Sequence, residues 1–378
     1  MNNNKIKISF WGDFAGQGRI PQLIDLENPA NIFGELAEEI QNSDIAIANL
    51  EAPLIEKGVK TPKSGPNIKA PLILAKALKE VGISLVTLAN NHIMDYGVQG
   101  LQSTIFACDS YALEYMGVGA NEDEATKIKY VNCKNSKIAF INIAENEFGN
   151  ATKKQGGGAP LNPVKNYYQI TEARHEADYV IVIIHGGHET FEYPSPRMRD
   201  TYRYYIDIGA DAIIGHHTHC FSGHEIYKGH PIVYSLGNFI FDNLENTHSS
   251  WNDGVGAVIT LENGTICLEL IPFTQGLPDI PFPKIYPLEK KEEFINKSHK
   301  KSKVIDNDKL LQSEFEKFVK QSKRKYALYL EPTTNRIILG LINRKILKSF
   351  INDKKRLLLL NIIRCEAHRD VLLQILKK

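Results

Sequence analysis

Residues 212–219 read Ala212-Ile213-Ile214-Gly215-His216-His217-Thr218-His219. Three imidazoles within four positions, directly after an apolar run, are costly beside a core unless they bind something or meet water. A short apolar run that stops at donor-bearing side chains reads as the carboxyl end of a buried parallel strand. The arrangement recurs upstream. Ile6–Trp11 stops at Gly12-Asp13, Asp44–Ala48 at Asn49-Leu50-Glu51, Leu85–Leu88 at Asn90-Asn91-His92, and Tyr179–Ile184 at His185. Ile138–Ile143 is a further run of this kind, and helix-like apolar spacing appears at Ile32–Asn42, Leu72–Val81 and Arg197–Ile208. Strands alternating with helices predict βαβ units and an α/β fold whose sheets are covered by helices.

Beyond His219 the pattern changes to short strands with tight turns: Gly223–Tyr227, Ile232–Ser235, Gly256–Leu261 and Ile266–Pro272. These predict an antiparallel second sheet or sheet half. The Pro-rich stretch from Gly276 to Pro287 reads as a linker. After it, Glu289–Gln321 and Ile337–Lys378 read as helical, basic and rich in Leu and Ile. The expected organisation is a domain over residues 1–283 and a mostly helical extension over 284–378.

Charge divides the chain at the same place. Residues 284–378 hold 24 Lys and Arg against 11 Asp and Glu, whereas the first 283 hold 21 against 33. An acidic body with a basic tail predicts helices packed on that body. The sharper alternative is a surface for an anionic membrane, a lipid-linked glycan or a biosynthetic partner. No nucleic-acid-binding motif accompanies the charge. The five cysteines are dispersed, without a CxxC pair, which fits a reducing compartment. The first apolar run is too short for a signal sequence, and no run approaches the roughly 18 apolar residues of a membrane span. The expectation is a cytoplasmic protein, with a peripheral place on the inner face of the membrane if the tail binds lipid.

In open α/β sheets ligands bind beyond the carboxyl ends of the strands. Asp13, Glu51, Asn91 with His92, His185, His217 and His219 therefore deliver oxygen and nitrogen donors to one edge. Taken singly, each has an ordinary reading: Asp after Gly as a turn former or helix cap, Asn-Asn-His as loop hydrogen bonding. Taken together they point to a divalent ion, and carboxylate, amide and imidazole donors suit Mn, Fe or Zn. A two-ion site needs a carboxylate that bridges ions about 3.5–4 Å apart. Glu51, the acid among the central strand ends, is the natural bridge.

The sequence resembles the CapA-like proteins of capsule and poly-γ-glutamate synthesis, within the calcineurin-like metallophosphoesterase superfamily. The matching stretches are Gly12-Asp13, Ala48–Pro53, Ala89–Gly97, His185–Glu189, Gly215–His219 and Tyr234–Asp242, in the family's order over about residues 5–275. The resemblance implies a four-layer fold, a two-sheet sandwich flanked by helices. It implies metal ligation by Asp13, Glu51, Asn91, His185, His217 and His219. His92 resembles a general acid, with Asp95 orienting it. Asn49 and Asn90 correspond to hydrogen-bonding residues around the ligands, Asn238 to a brace, and His216 to a loop histidine. Calcineurin-type enzymes begin Asp-x-His, but position 15 here is Ala, so one of the one or two ions lacks a ligand that His188 or a water would replace.

Gly16-x-Gly18, Gly117-x-Gly119 and Gly156–Gly158 lack the context of a nucleotide loop and read as turns. No Gly-x-Ser-x-Gly elbow is present. Arg197, Arg199 and Arg203 read as a solvated helix face, or else as an anion site. The expected activity is metal-dependent hydrolysis of a phosphorylated or amide-linked intermediate in surface-polymer synthesis. A γ-glutamyl amidase or peptidase, and a non-catalytic partner in a synthesis complex, are the alternatives.

Overall fold

The computed structural model describes residues 5–243, 250–276, 281–330, 333, 335–348 and 350–376. It has four layers, helix on sheet on sheet on helix. The first sheet runs in the order Lys284–Ile285, Thr265–Thr274, Asp253–Glu262, Ile6–Phe14, Ile45–Leu50, Leu85–Thr87, Glu114–Met116. Asn238–Ile240 pairs with the end of Ile6–Phe14. The second sheet runs His224–Tyr227, His230–Val233, Ala212–His216, Tyr179–His185, Ser136–Ala144, Lys129–Cys133.

Strand alternation explains the layering, because successive side chains point to opposite faces. Ile6, Ile8, Phe10 and Ile47 on the first sheet meet Phe140, Ile181, Ile183 and Ile214 on the second in one buried cluster. Ala46, Ala48 and Val86 face outward under the helices Leu36–Gln41, Ile73–Val81 and Gly97–Ser110. Ile141, Val182 and Ile213 face outward under Pro163–Glu176 and Pro196–Asp207. These strands between the helical layers are thus apolar on both faces, hence the continuous apolar runs.

Two glycines permit backbone approaches that bring strand ends together. A Cβ on Gly12 would lie 2.0 Å from the Gly237 carbonyl oxygen, and one on Gly215 would lie 2.0 Å from that of Tyr234. Asp13 then donates its N–H to the Gly237 carbonyl at 3.0 Å.

Several expectations need correction. Of the two expectations for the strands after His219, the separate sheet fails and the sheet half holds: among the described residues, Asp253–Glu262, Thr265–Thr274 and Lys284–Ile285 are the antiparallel half of the first sheet. The hairpin His224–Tyr227/His230–Val233 extends the second sheet, and Asp253–Glu262/Thr265–Thr274 extends the first against Ile6–Phe10. Ile32–Asn42 is a 3-10 turn, Pro29–Phe33, followed by a short helix, because Gly34 takes φ +51 between them. The stretch before Pro287 is no free linker where it is described: Lys284–Ile285 pairs with Thr265–Thr274, and Phe282 packs on the outer core. Residues 277–280 lie outside the described residues.

The C-terminal helices are Leu288–Ile305, Asp308–Leu330, Arg336–Asn343, Asp353–Arg364 and Glu366–Leu376. Residues 344–347 form turns and bends between two of them rather than helix. Phe315, Val319, Tyr326, Ile362, Val371 and Leu372 enclose Phe191 of the body in a separate apolar cluster. The arginines of Pro196–Asp207 are not a solvated face. Arg197 bridges Glu145 and Asp370, Arg199 pairs with Asp308, and Arg203 pairs with Glu225 and Asp306. Each carries at least one ion pair to the C-terminal segment.

Candidate metal centre

The parallel strands of both sheets end at one edge. There the side chains of Asp13, Asn49, Glu51, Asn91, His92, His185, His217 and His219 converge, all of them buried. The turns that present them are locally encoded. Asn90 Oδ1 accepts from the N–H groups of His92 and Ile93 at 3.1 and 2.8 Å, an Asx-type turn that swings Asn91 and His92 to the edge. Its Nδ2 donates to the Leu50 carbonyl at 2.9 Å and ties that turn to the Glu51 loop. At the other sheet, His217 and His219 take φ +91 and +55. Such left-handed backbone costs non-glycine residues about 1–3 kcal/mol each and collects at functional sites.

At this edge two donor groups form, and both contain Glu51: Glu51 with His185 and His217, and Asp13 with Glu51 and His219; among the described residues a third group, Glu147 with Cys365 and His368, lies apart from Glu51. The Nε2 atoms of His92, His185 and His219 lie 3.9, 3.7 and 3.8 Å from Glu51 Oε1. Both carboxylate oxygens of Glu51 are buried without a hydrogen-bond partner. Burial, then the charge of Asp13, pushes the Glu51 carboxyl well above the usual range. A carboxylate so placed requires a cation or a proton. Asn91 Oδ1 extends the first group, 3.0 Å from His185 Nε2, and His217 Nδ1 lies 3.1 Å from the same atom. The donor set is compatible with divalent metal ions.

Asp13 is held on both oxygens. Oδ1 accepts from Asn49 Nδ2 at 2.8 Å and Oδ2 from the His217 N–H at 3.0 Å. Burial raises its pKa, but contact with His216 and the charge of the surrounding imidazoles outweigh it and hold the group well below the usual carboxylate value. Asn238 Oδ1 accepts from His219 Nδ1 at 2.9 Å, which leaves His219 Nε2 toward Glu51. His216 ends its strand rather than lying in the loop, with Nδ1 3.3 Å from Asp13 Oδ1. Asp95 sits one turn after His92 and accepts from its Nδ1 at 2.7 Å.

His188 does not replace the histidine absent at position 15. It belongs to neither donor group; its Nε2–H donates to the Ala367 carbonyl at 2.8 Å, and its ring packs edge-on against Phe315 and Phe318. Ala15 itself is buried in the outer core. Two residues of the site escaped the sequence reading. Lys63 reaches in from a patternless loop to bond Asp95, with its Nζ 3.1 Å from His92 Nδ1. Glu147 accepts from Asn91 Nδ2 at 2.9 Å. Its signal was present, for Glu145-Asn146-Glu147 follows the strand Ser136–Ala144 as the other donors follow theirs. A cavity of about 1290 Å3 opens over the centre, bounded by Asn91, His92 and His217 on one side and by Phe318 and Tyr326 of the C-terminal helices on the other.

Burial, then the charge of Arg197, pushes His188 down to about 3. A histidine neutral in the folded state and free to protonate when unfolded loses stability on the acid side. Its full contribution is present above the ordinary value of 6.5 and declines as pH falls toward 3, by at most about 1.4 kcal/mol per pH unit. His188→Gln, which keeps an N–H for Ala367, is expected to flatten that decline in urea unfolding between pH 6.5 and 4.

Against known proteins, the family model described as "Bacterial capsule synthesis protein PGA_cap" matches residues 7–243. The chain is 32% identical over 291 residues to the capsule biosynthesis protein CapA of Bacillus anthracis, covering 73% of this chain and 69% of that one. It is 32% identical over 246 residues to the PGA biosynthesis protein CapA of Bacillus subtilis (strain 168), covering 64% of each, so it spans under two thirds of that relative. Among solved structures, TT1561 of Thermus thermophilus aligns over 70% of this chain and 98% of its own at 11% identity, with a TM-score of 0.37. The family model takes in the strand ends from Asp13 to His219 and the Asn238 that braces them, and the chain belongs to the bacterial capsule synthesis protein family PGA_cap.

Proposed function

We propose that the chain is a metal-dependent hydrolase, phosphoesterase-like in its machinery, acting on a phosphorylated or amide-linked intermediate of capsule or poly-γ-glutamate synthesis. The observation that carries this reading is Glu51, a buried carboxylate with no hydrogen-bond partner, shared by two donor groups and ringed by three imidazole nitrogens. Asp13, Glu51, Asn91, His185, His217 and His219 would hold one or two ions, of Mn, Fe or Zn by donor chemistry. Such ions supply Lewis-acid activation of water and charge stabilisation at a phosphoryl or carbonyl oxygen.

The protein's own residues then handle the proton. Asp95 accepts His92 Nδ1–H, which aims Nε2 toward Glu51 and the cavity. Burial pushes the His92 pKa below its ordinary 6.5. Near neutral pH its Nε2 is therefore a proton acceptor. It would take up a proton from the open cavity and deliver it to the departing group. Lys63 fixes Asp95 from the opposite side.

The test is metal-free protein reloaded with Mn, Fe or Zn and assayed on p-nitrophenyl phosphate, phosphodiesters and γ-glutamyl anilides, beside Glu51→Gln. Turnover of the phosphate substrates is the expected result. Turnover of the anilides alone makes the protein an amidase. Failure to bind any of the ions leaves a non-catalytic partner in a synthesis complex.

An anionic lipid surface is the proposed partner of the tail. Ile346, Leu347 and Phe350 are exposed beside Arg344, Lys345 and Lys348, a mixture suited to such a surface. No helix among the described residues is long and apolar enough to cross a membrane. The full chain is expected to sediment with phosphatidylserine vesicles at low salt and to be released as salt rises.

A further inference from the structure

The C-terminal helices wall the cavity, but one of them also reaches the donor set itself. The first turns of helix Glu366–Leu376 dock on the loop that follows strand Ser136–Ala144. Glu366 accepts from the Asn146 backbone N–H at 3.2 Å and from Asn146 Nδ2 at 2.8 Å. The Ala367 carbonyl accepts from His188, and Asp370 pairs with Arg197. Between these anchors, His368 Nε2 lies 3.0 Å from Glu147 Oε1.

The bonds around Glu147 have one direction each. A carboxylate only accepts, so His368 Nε2 carries its hydrogen toward Glu147, and His368 Nδ1 accepts the Tyr326 hydroxyl at 2.7 Å. For the same reason the group of Asn91 that meets Glu147 Oε2 at 2.9 Å is its NH2. The Asn91 carbonyl oxygen is thereby turned to His185 Nε2, 3.0 Å away. An amide ligates a metal through oxygen, and a flipped Asn91 would present hydrogens to a cation. The orientation of Asn91 thus depends on Glu147. Glu147 is in turn held by a side chain that is 221 residues distant and belongs to the C-terminal helices.

We propose that His368 is a positioning residue for the metal centre: through Glu147 it fixes the Asn91 amide with its oxygen toward His185, so that the docked C-terminal helices set the affinity for the ion at Asn91. The inference rests on the metal reading above. It makes the C-terminal helices part of the centre rather than an appendage. Partners that hold ligands in orientation typically change metal affinity 10–100-fold when removed.

The experiment is Mn2+ titration of the metal-free full-length protein, read by loss of the free-ion EPR signal and by the EPR spectrum of bound Mn2+. His368→Ala is expected to weaken one bound ion roughly 10-fold or more and to alter its spectrum. His368→Gln retains an N–H for Glu147 and is expected to restore most of that affinity. Glu366→Gln weakens docking of the same helix without touching Glu147, and is expected to leave affinity near that of the parent. Parent-like affinity in His368→Ala overturns the inference while leaving the metal reading intact. Equal losses in His368→Ala and Glu366→Gln also overturn it, because docking alone would then account for the effect. Loss of a whole equivalent of ion, with the remainder unchanged, overturns it by making His368 a ligand. A parent protein that takes up no Mn2+ overturns both readings. Circular dichroism of each variant separates these outcomes from a failure to fold.

Discussion

Replacing Glu51 by glutamine is expected to raise the melting temperature of the metal-free chain and to abolish the further rise that Mn, Fe or Zn gives the parent protein. Both halves follow from one geometry. In the metal-free chain the carboxylate is buried, lacks a hydrogen-bond donor and lies near Asp13, so its pKa is raised. A carboxyl that holds its proton more tightly when folded than when unfolded destabilises the fold at every pH above its folded pKa. The penalty shrinks as pH falls and is gone below the ordinary value near 4.5. Uncompensated buried charge costs on the order of a few kcal/mol, and a change of that size moves the melting temperature by roughly 2 °C per kcal/mol in a chain this long. Glutamine keeps the shape and removes the charge. Its advantage is therefore expected at pH 8 and absent near pH 4.5. Loading reverses the order: an ion at 100 times its Kd stabilises the parent by about 2.7 kcal/mol, a gain that the variant forgoes together with activity. Calorimetry in chelator and in each metal, at the two pH values, measures all of this. A metal-free variant less stable than the parent at pH 8, or one that keeps the metal-induced rise, would remove Glu51 from the centre.

The residues of this centre were readable to different depths, and the reason is the range of the interactions that place them. Strand ends stood out because strands between two helical layers are apolar on both faces, so a donor marks the point where the core stops. The His92–Asp95 pair lies within one turn and was equally legible. The partnering of hairpins was not. Nothing local in Asp253–Glu262 says that it pairs with Ile6–Phe10 rather than with a neighbour, since that choice is made by surfaces some 250 residues away in sequence. Lys63 had no periodic context, and Glu147 acquires meaning only when Asn91 and His368 arrive from either side. The three arginines of Pro196–Asp207 spaced themselves like a surface stripe, yet the C-terminal segment supplies Asp306, Asp308 and Asp370 to meet them. The helical period forecast the extension's helices; their docking depended on charges that only the fold aligns.

The second large effect concerns the proton rather than the ions. His92→Asn is expected to lower the turnover rate about 10²–10⁴-fold, the usual contribution of a positioned acid or base. Its Nε2 is 3.9 Å from Glu51 Oε1, and among the described residues no other imidazole of the site is oriented by a carboxylate–ammonium pair such as Asp95–Lys63. Mn uptake by this variant is expected to match the parent, because His92 stands in neither donor group. The loss should also depend on the substrate. A leaving group acidic enough to depart as an anion needs no proton from His92 and is expected to show a small deficit; an alkoxide or amine needs one and should show nearly all of it. Asp95→Asn provides the complementary case. Asp95 Oδ2 accepts from both His92 Nδ1 and the Ile68 N–H, while Oδ1 meets Lys63. The asparagine has a single acceptor oxygen for these three donors, so the ring of His92 loses its fixed tautomer and much of the same rate, again without loss of metal. A uniform deficit across leaving groups in His92→Asn, or a parallel loss of bound Mn, would instead assign His92 to the support of the ligands, and the proton would have to come from elsewhere in the cavity.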